Sequence, residues 1–203
     1  MFNLTPAETK LFKKLNTPQK IQDYLQALPF NFEKGGEPLR SPRQVIRHRK
    51  AHCMEGALLA SAILWYHGHE PMLLDLRAIR PDYEHVVALF KINGLYGAIS
   101  KTNHAVLNYR DPVYQSVREL AMTYFHEYFL YNGKKTLRDY SEPFKLKPLG
   151  KAWVTADEDL WYIDRALDKS KHLPILNKKS LRLLRLADKV QIAAGKIEVT
   201  KHE

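Results

Sequence analysis

Cysteine is nearly absent: the 203-residue chain holds one, Cys53. A single thiol excludes an intrachain disulfide, a cysteine-rich zinc module and an iron–sulfur cluster built from this chain alone. Long apolar runs are missing too, since no window approaches the roughly 20 apolar residues of a membrane span. The opening stretch, MFNLTPAETKLFKKLN, has no basic segment followed by a long apolar one. The expectation is a soluble, cytoplasmic protein with no membrane partner. Acidic residues are the scarcer charge, 22 against 32 basic ones, which leaves a formal +10. That balance favours phosphates, nucleic acid or acidic surfaces as associates and names neither fold nor chemistry. With only 9 Gly and 45% apolar residues, the chain is not collagen-like or disordered, and its length suits one compact domain plus an appendage.

What is present reads first as helices. Thr5-Pro6-Ala7-Glu8 combines a capping hydroxyl, a proline at the first helical position and a glutamate three residues after the cap. Thr17-Pro18 repeats the cap, and Ile21, Tyr24, Leu25 and Leu28 give the second helix an apolar face. Pro29 and Lys34-Gly35-Gly36-Glu37-Pro38 predict a loop. Ser41-Pro42 opens a third helix to about Arg49. From Cys53 to Tyr66 the chain is apolar almost all round, the pattern of a buried central helix, with Gly68 as its stop. Residues 72–79, 85–92 and 95–102 fit strands, the last two joined by the hairpin signal Asn93-Gly94. Asp111-Pro112 predicts a helix over residues 113–131, in which Tyr124, Phe125, Tyr128, Phe129 and Tyr131 read as core. Residues 133–203 carry 16 basic against 10 acidic side chains, and residues 1–132 carry 16 against 12. Pro143, Pro148 and Gly150 mark a linker, beyond which helices are expected around Trp161, Ile163 and Leu167 and over residues 181–194. The basic face of Lys178, Lys179, Arg182 and Arg185 matches no nucleic-acid reader motif.

The chemistry concentrates at Cys53. It opens the buried helix, so its sulfur is expected among unpaired N–H groups at the positive end of the helix dipole. Such a site lowers a thiol pKa from about 8.5 to between about 3.5 and 7.5. Arg47, Arg49 and Lys50 add positive potential, and Glu55 works against it. The bland alternative is a buried structural cysteine. A metal site from His48, His52 and Cys53, with His67 and His69 nearby, matches no standard zinc spacing. Counting outward from Asn93-Gly94 pairs Ile92 with Leu95, Lys91 with Tyr96 and Val87 with Ser100, which makes Ser100 a diagonal neighbour of His85. A Cys53 helix packed over the His85, Val87 and Leu89 face is expected to bring thiol and imidazole together as nucleophile and base.

Arg49-Lys50-Ala51-His52-Cys53-Met54-Glu55-Gly56-Ala57, then Gly68, then His85-Val86-Val87-Ala88-Leu89-Phe90, then Asn93-Gly94 and Leu95-Tyr96-Gly97-Ala98-Ile99, resemble the transglutaminase-like superfamily with its papain-like cysteine protease fold. The resemblance covers roughly residues 40–105. It implies an α+β fold, helices packed on a small antiparallel sheet, with residues 1–140 as the transglutaminase-like domain and 141–203 as a linker and basic helical extension. It implies Cys53 as nucleophile and His85 as its base. The family's third residue, usually an aspartate, aligns with Ser100, whose oxygen can orient an imidazole but carries no charge. Asn103 and Asp75 are the alternatives. The resemblance implies attack on an amide or other acyl carbonyl of a protein or peptide substrate, through a thioester, with hydrolysis or acyl transfer to follow and no cofactor or metal. The backbone N–H of Cys53, or the side chain of His52 or Gln44, is the expected oxyanion donor. A second reading is a binding protein of the same fold with weak or no activity, and a third is a basic nucleic-acid-associated module.

Overall fold

A computed structural model describes residues 2–32 and 38–198; of the loop read at residues 34–38, residues 34–37 lie outside them. Local signals at the helix starts act as their chemistry dictates. Thr5 and Glu8 close a reciprocal capping box (Thr5 N–H to Glu8 Oε2, 2.7 Å; Glu8 N–H to Thr5 Oγ1, 3.2 Å) and start α1, Pro6–Lys14. Thr17 caps α2, Pro18–Ala27, and Ser41 caps α3, Pro42–His48, which ends on Arg49 in the left-handed region. The central helix α4, Cys53–Tyr66, is buried at every position from Met54 to Leu64, in keeping with a sequence that has no polar stripe. Gly68, at φ 90°, turns the chain out of it.

The sheet is antiparallel throughout. Its strands are β1 (Met72–Ala78), β2 (His85–Ile92), β3 (Leu95–Ile99), β4 (Arg110–Tyr114), β5 (Leu137–Ser141), β6 (Phe144–Lys145) and β7 (His172–Pro174). The order is β4-β3-β2-β1-β5-β7, with β6 beside β1. Asn93 and Gly94 both take positive φ, 51° and 83°, and pair Ile92 with Leu95 and Lys91 with Tyr96, the register that the turn chemistry demands. With helices on the sheet, the architecture is α+β, as the transglutaminase-like core requires.

Two apolar layers sandwich the sheet. Residues of α1 to α4 meet Leu73, Val86, Ala88, Phe90 and Ile99 on one face. On the other face Leu74, Leu76, Val87, Leu89 and Ala98 meet helix α5, Val117–Phe125. Three expectations change here. Asp111-Pro112 does not start a helix, because it lies on β4 at the sheet edge, where proline's missing N–H removes no ladder bond. Ser116 is the actual cap, with its Oγ accepting from Glu119 N–H at 3.1 Å, and α5 stops at Phe125. Strand β3 ends at Ile99, not Thr102, because the amide side chain of Gln22 takes over both backbone groups of Ser100 (Ser100 N–H to Oε1 and Nε2–H to Ser100 O, 2.9 Å each).

Residues beyond 141 enter the same sheet through β6 and β7. They also enter the same core, through Trp153, Val154 and Leu160 and through Ile163 and Leu167 of α6, Trp161–Asp168. The helix expected over residues 181–194 divides into α7, Lys178–Leu181, and α8, Lys189–Gly195. Ala187 N–H is drawn to Gly133 O (2.9 Å), and Asp188 starts a fresh helix by accepting from Val190 and Gln191 N–H. Among the described residues no helix is long and apolar enough to cross a membrane.

Candidate active site

Cys53 is the first residue of α4 and is half-buried. The strand-like approach to it is fixed by Phe30 and Ala51, which pair across a short parallel bridge (Asn31 N–H to Ala51 O, 3.1 Å). Gly56, one turn on, lets α4 lie against the segment after β3, since a Cβ there would collide with the Lys101 side chain. Lys101 is itself buried, donates from Nζ to Leu28 O, and is pushed down to about 8 by burial.

The imidazole of His85 neighbours the sulfur closely enough to lower the thiol. It is 4% exposed, and its Nε2–H donates to Ser100 Oγ at 2.8 Å. The serine hydroxyl gives its own proton to Leu107 O, also at 2.8 Å, so it accepts from the ring. That network assigns the tautomer: Nε2 carries hydrogen, and Nδ1 is left for the thiol. Helix α4 packs on the Val86 and Ala88 face, not on the Val87 and Leu89 face expected from strand alternation. The two groups still meet, because His85 is the first residue of β2 and sits at the end of the sheet beside the helix tip. Its ring lies against Tyr124 of α5, centroids 6.5 Å apart.

Burial pushes the Cys53 thiol up, but hydrogen bonds and charge from His52 and His85 outweigh it and hold the thiol well below its ordinary value. The cations named from sequence are not what does this. Arg47 pairs outward with Asp157 at 3.0 Å, and Arg49 is exposed at the far end of its turn. Glu55 is wholly buried, with its carboxylate accepting from His52 N–H and Arg40 N–H (3.0 Å each) and from Asn31 Nδ2 (3.3 Å). A further carboxylate, Asp164, and the Tyr128 phenol lie close enough to feel the sulfur. Burial, then Asp168, Glu84 and Cys53, push Asp164 of α6 up, while His52 opposes them. Tyr128 is raised by burial and by Asp82, Cys53, Asp75 and Glu84, and its hydroxyl donates to Tyr83 O at 2.7 Å.

The alternative orienters lie elsewhere. Asn103 is buried, but the ring's Nε2 partner is Ser100. Asp75 serves a different imidazole, accepting from His172 Nε2 of β7 at 3.1 Å, with Arg77 at 3.5 Å. Gln44 reaches Asp157 (3.4 Å), which removes it as an oxyanion donor. His67 donates to Phe12 O at 2.7 Å at the far end of α4. Among the described residues no group of three His, Cys, Asp or Glu is placed to hold a metal. The sequence reading missed Gln22, whose only local signal is a polar residue beside the apolar Ile21 and Leu25, and the Asp75–His172 pair, which has no local signal at all.

A family model described as a transglutaminase-like domain matches residues 8–120. No curated protein matches the chain.

Proposed function

The chain belongs to the transglutaminase-like domain family, and on that premise we propose that it is a thiol enzyme in which Cys53 attacks an amide or other acyl carbonyl. The observation that carries this reading is the buried His85 imidazole, held by Ser100 at Nε2 and close enough to Cys53 to help hold its thiol well below the ordinary value. The thiol proton passes to Nδ1 of His85, and the thiolate adds to the carbonyl carbon. A C–S bond forms, and the oxygen becomes an oxyanion next to the backbone N–H of Cys53 at the helix tip. The C–N bond breaks as His85 returns its proton to the departing amine, which leaves a thioester. Water or a second amine, deprotonated by the same ring, then attacks the thioester and releases the acyl group from sulfur. A protein or peptide amide is the substrate class, and the site needs no cofactor for these steps.

A second reading, a binding protein that keeps the fold, is favoured by one feature: Ser100 gives the imidazolium no charge support. Acylation by p-nitrophenyl acetate separates the two. The enzyme reading expects an acetyl group on Cys53 by intact mass and its release with turnover, slowed about a hundredfold in His85→Ala. Absence of the adduct, or equal rates in wild type and His85→Ala, contradicts it and leaves the binding protein.

A further inference from the structure

The segment of α7 and α8 is held to the body on one side and leaves the other uncovered. Leu184 packs into the apolar layer of α5, and Ala187 is buried with its N–H on Gly133 O at 2.9 Å. Around these anchors the aliphatic side chains face out. Leu183 is 83% exposed and Val190 79%, with Leu186 and Ile197 more than half exposed. Leu186 stands on the turn at Gly133, and two residues before that turn Tyr131 is also exposed, the centre of its ring 4.9 Å from Lys196 Nζ. Each exposed aliphatic residue follows directly on an exposed cation: Arg182-Leu183, Arg185-Leu186, Lys189-Val190 and Lys196-Ile197. With Lys178 and Lys179, residues 178–198 hold six basic side chains against Asp188 and Glu198. Among the described residues, only Arg185 of the six has a carboxylate partner, Asp188 at 3.8 Å.

We propose that this face docks the protein on a membrane surface rich in anionic lipid, the cations at the headgroup phosphates and Leu183, Leu186 and Val190 dipping into the acyl boundary. Six cations against two anions select an anionic partner. The aliphatic tips then decide which one. A nucleic acid offers phosphate without hydrocarbon and would leave Leu183 and Val190 in water. An acidic protein would need a groove shaped to receive side chains that stand this far out. A bilayer takes projecting apolar side chains at any spacing and surrounds them with phosphate, which the alternation of cation and aliphatic residue matches. Docking of this kind needs no spanning helix, so it departs from the expectation of no membrane partner, which rested on the lack of a spanning run. It does not depend on the chemistry at Cys53.

Sedimentation of the full chain with lipid vesicles is the test. Vesicles of equal parts phosphatidylserine and phosphatidylcholine are expected to carry the protein down, and vesicles of phosphatidylcholine alone are not. Leu183→Ser combined with Val190→Ser is expected to weaken partitioning about tenfold. Arg182→Gln combined with Lys189→Gln is expected to weaken it by about the same factor and to flatten its dependence on salt. All four side chains are exposed, so urea unfolding and Cys53 acylation are expected to match wild type in both variants. No sedimentation with the anionic vesicles overturns the proposal. Vesicle binding that Leu183→Ser with Val190→Ser leaves unchanged also overturns it, because the cations alone would then account for the attraction. Binding to a duplex DNA fragment but not to vesicles, lost with the two cations and indifferent to the two aliphatic residues, overturns it in favour of a nucleic-acid partner.

Discussion

Ser100 sits where the transglutaminase-like resemblance implied an aspartate, and the His85 ring meets a neutral oxygen there. Its hydroxyl accepts from His85 only because its proton goes to Leu107 O, so it fixes the ring's tautomer without stabilising an imidazolium. Ser100→Ala is expected to slow acylation of Cys53 by p-nitrophenyl acetate about tenfold, the equivalent of one lost hydrogen bond of about 1.5 kcal/mol to a charged group. Ser100→Asp is expected to act the other way on the imidazolium and raise alkylation at acid pH. The pairing of His85 with Ser100 was legible in the sequence, because a two-residue turn fixes register by arithmetic. His52 was legible as a candidate oxyanion donor or metal ligand beside Cys53; the anchoring of Glu55 was not, because it depends on Asn31 and Arg40, which fold in from other segments.

At the scale of elements, the site is a matter of how α4 and the end of β3 are held together. Gly56 permits the close approach, and Gln22 of α2 replaces the ladder that β3 leaves at Ser100. Gln22→Ala leaves a buried N–H and C=O without partners, so a loss of about 1–3 kcal/mol is expected in urea unfolding, along with slower Cys53 acylation. Helix α6 adds Asp164, an anion facing the thiol. Removing an anion favours the thiolate, so Asp164→Asn is expected to move the alkylation profile to lower pH; an upward shift would contradict the placement. Capping boxes, the central helix and the hairpin were readable because their causes are local. Strand β4 was not, since Asp111-Pro112 reads as a helix start unless the sheet edge is already known. Ser100 ends β3 for a reason that lies 78 residues away in the chain.

Across the whole molecule, the C-terminal part is tied to the sheet by a buried polar joint. His172 of β7 donates from Nε2 to Asp75 of β1, and its Nδ1 meets Ser170 O at 2.8 Å. Burial, with Glu84 adding to it, pushes the Asp75 carboxyl up from 3.8 to about 6, against the pull of His172 and Arg77. A carboxyl raised in the fold stabilises the fold most when protonated, and that contribution disappears as pH rises through the folded value. Stability of wild type relative to Asp75→Asn is therefore expected to fall between pH 3.8 and about 6 and then level off, as urea unfolding at each pH would read. A difference that rises over that window contradicts the assignment. This joint was invisible in composition, which shows only that basic residues outnumber acidic ones after residue 133. The proposed chemistry depends on the ionisation of one sulfur. The ultraviolet absorbance of the thiolate, followed against pH, reads Cys53 alone because the chain has no other thiol. A midpoint well below the ordinary value of about 8.5, moved upward by His85→Ala, is the predicted result. A midpoint at or above the ordinary value, indifferent to that substitution, would contradict it.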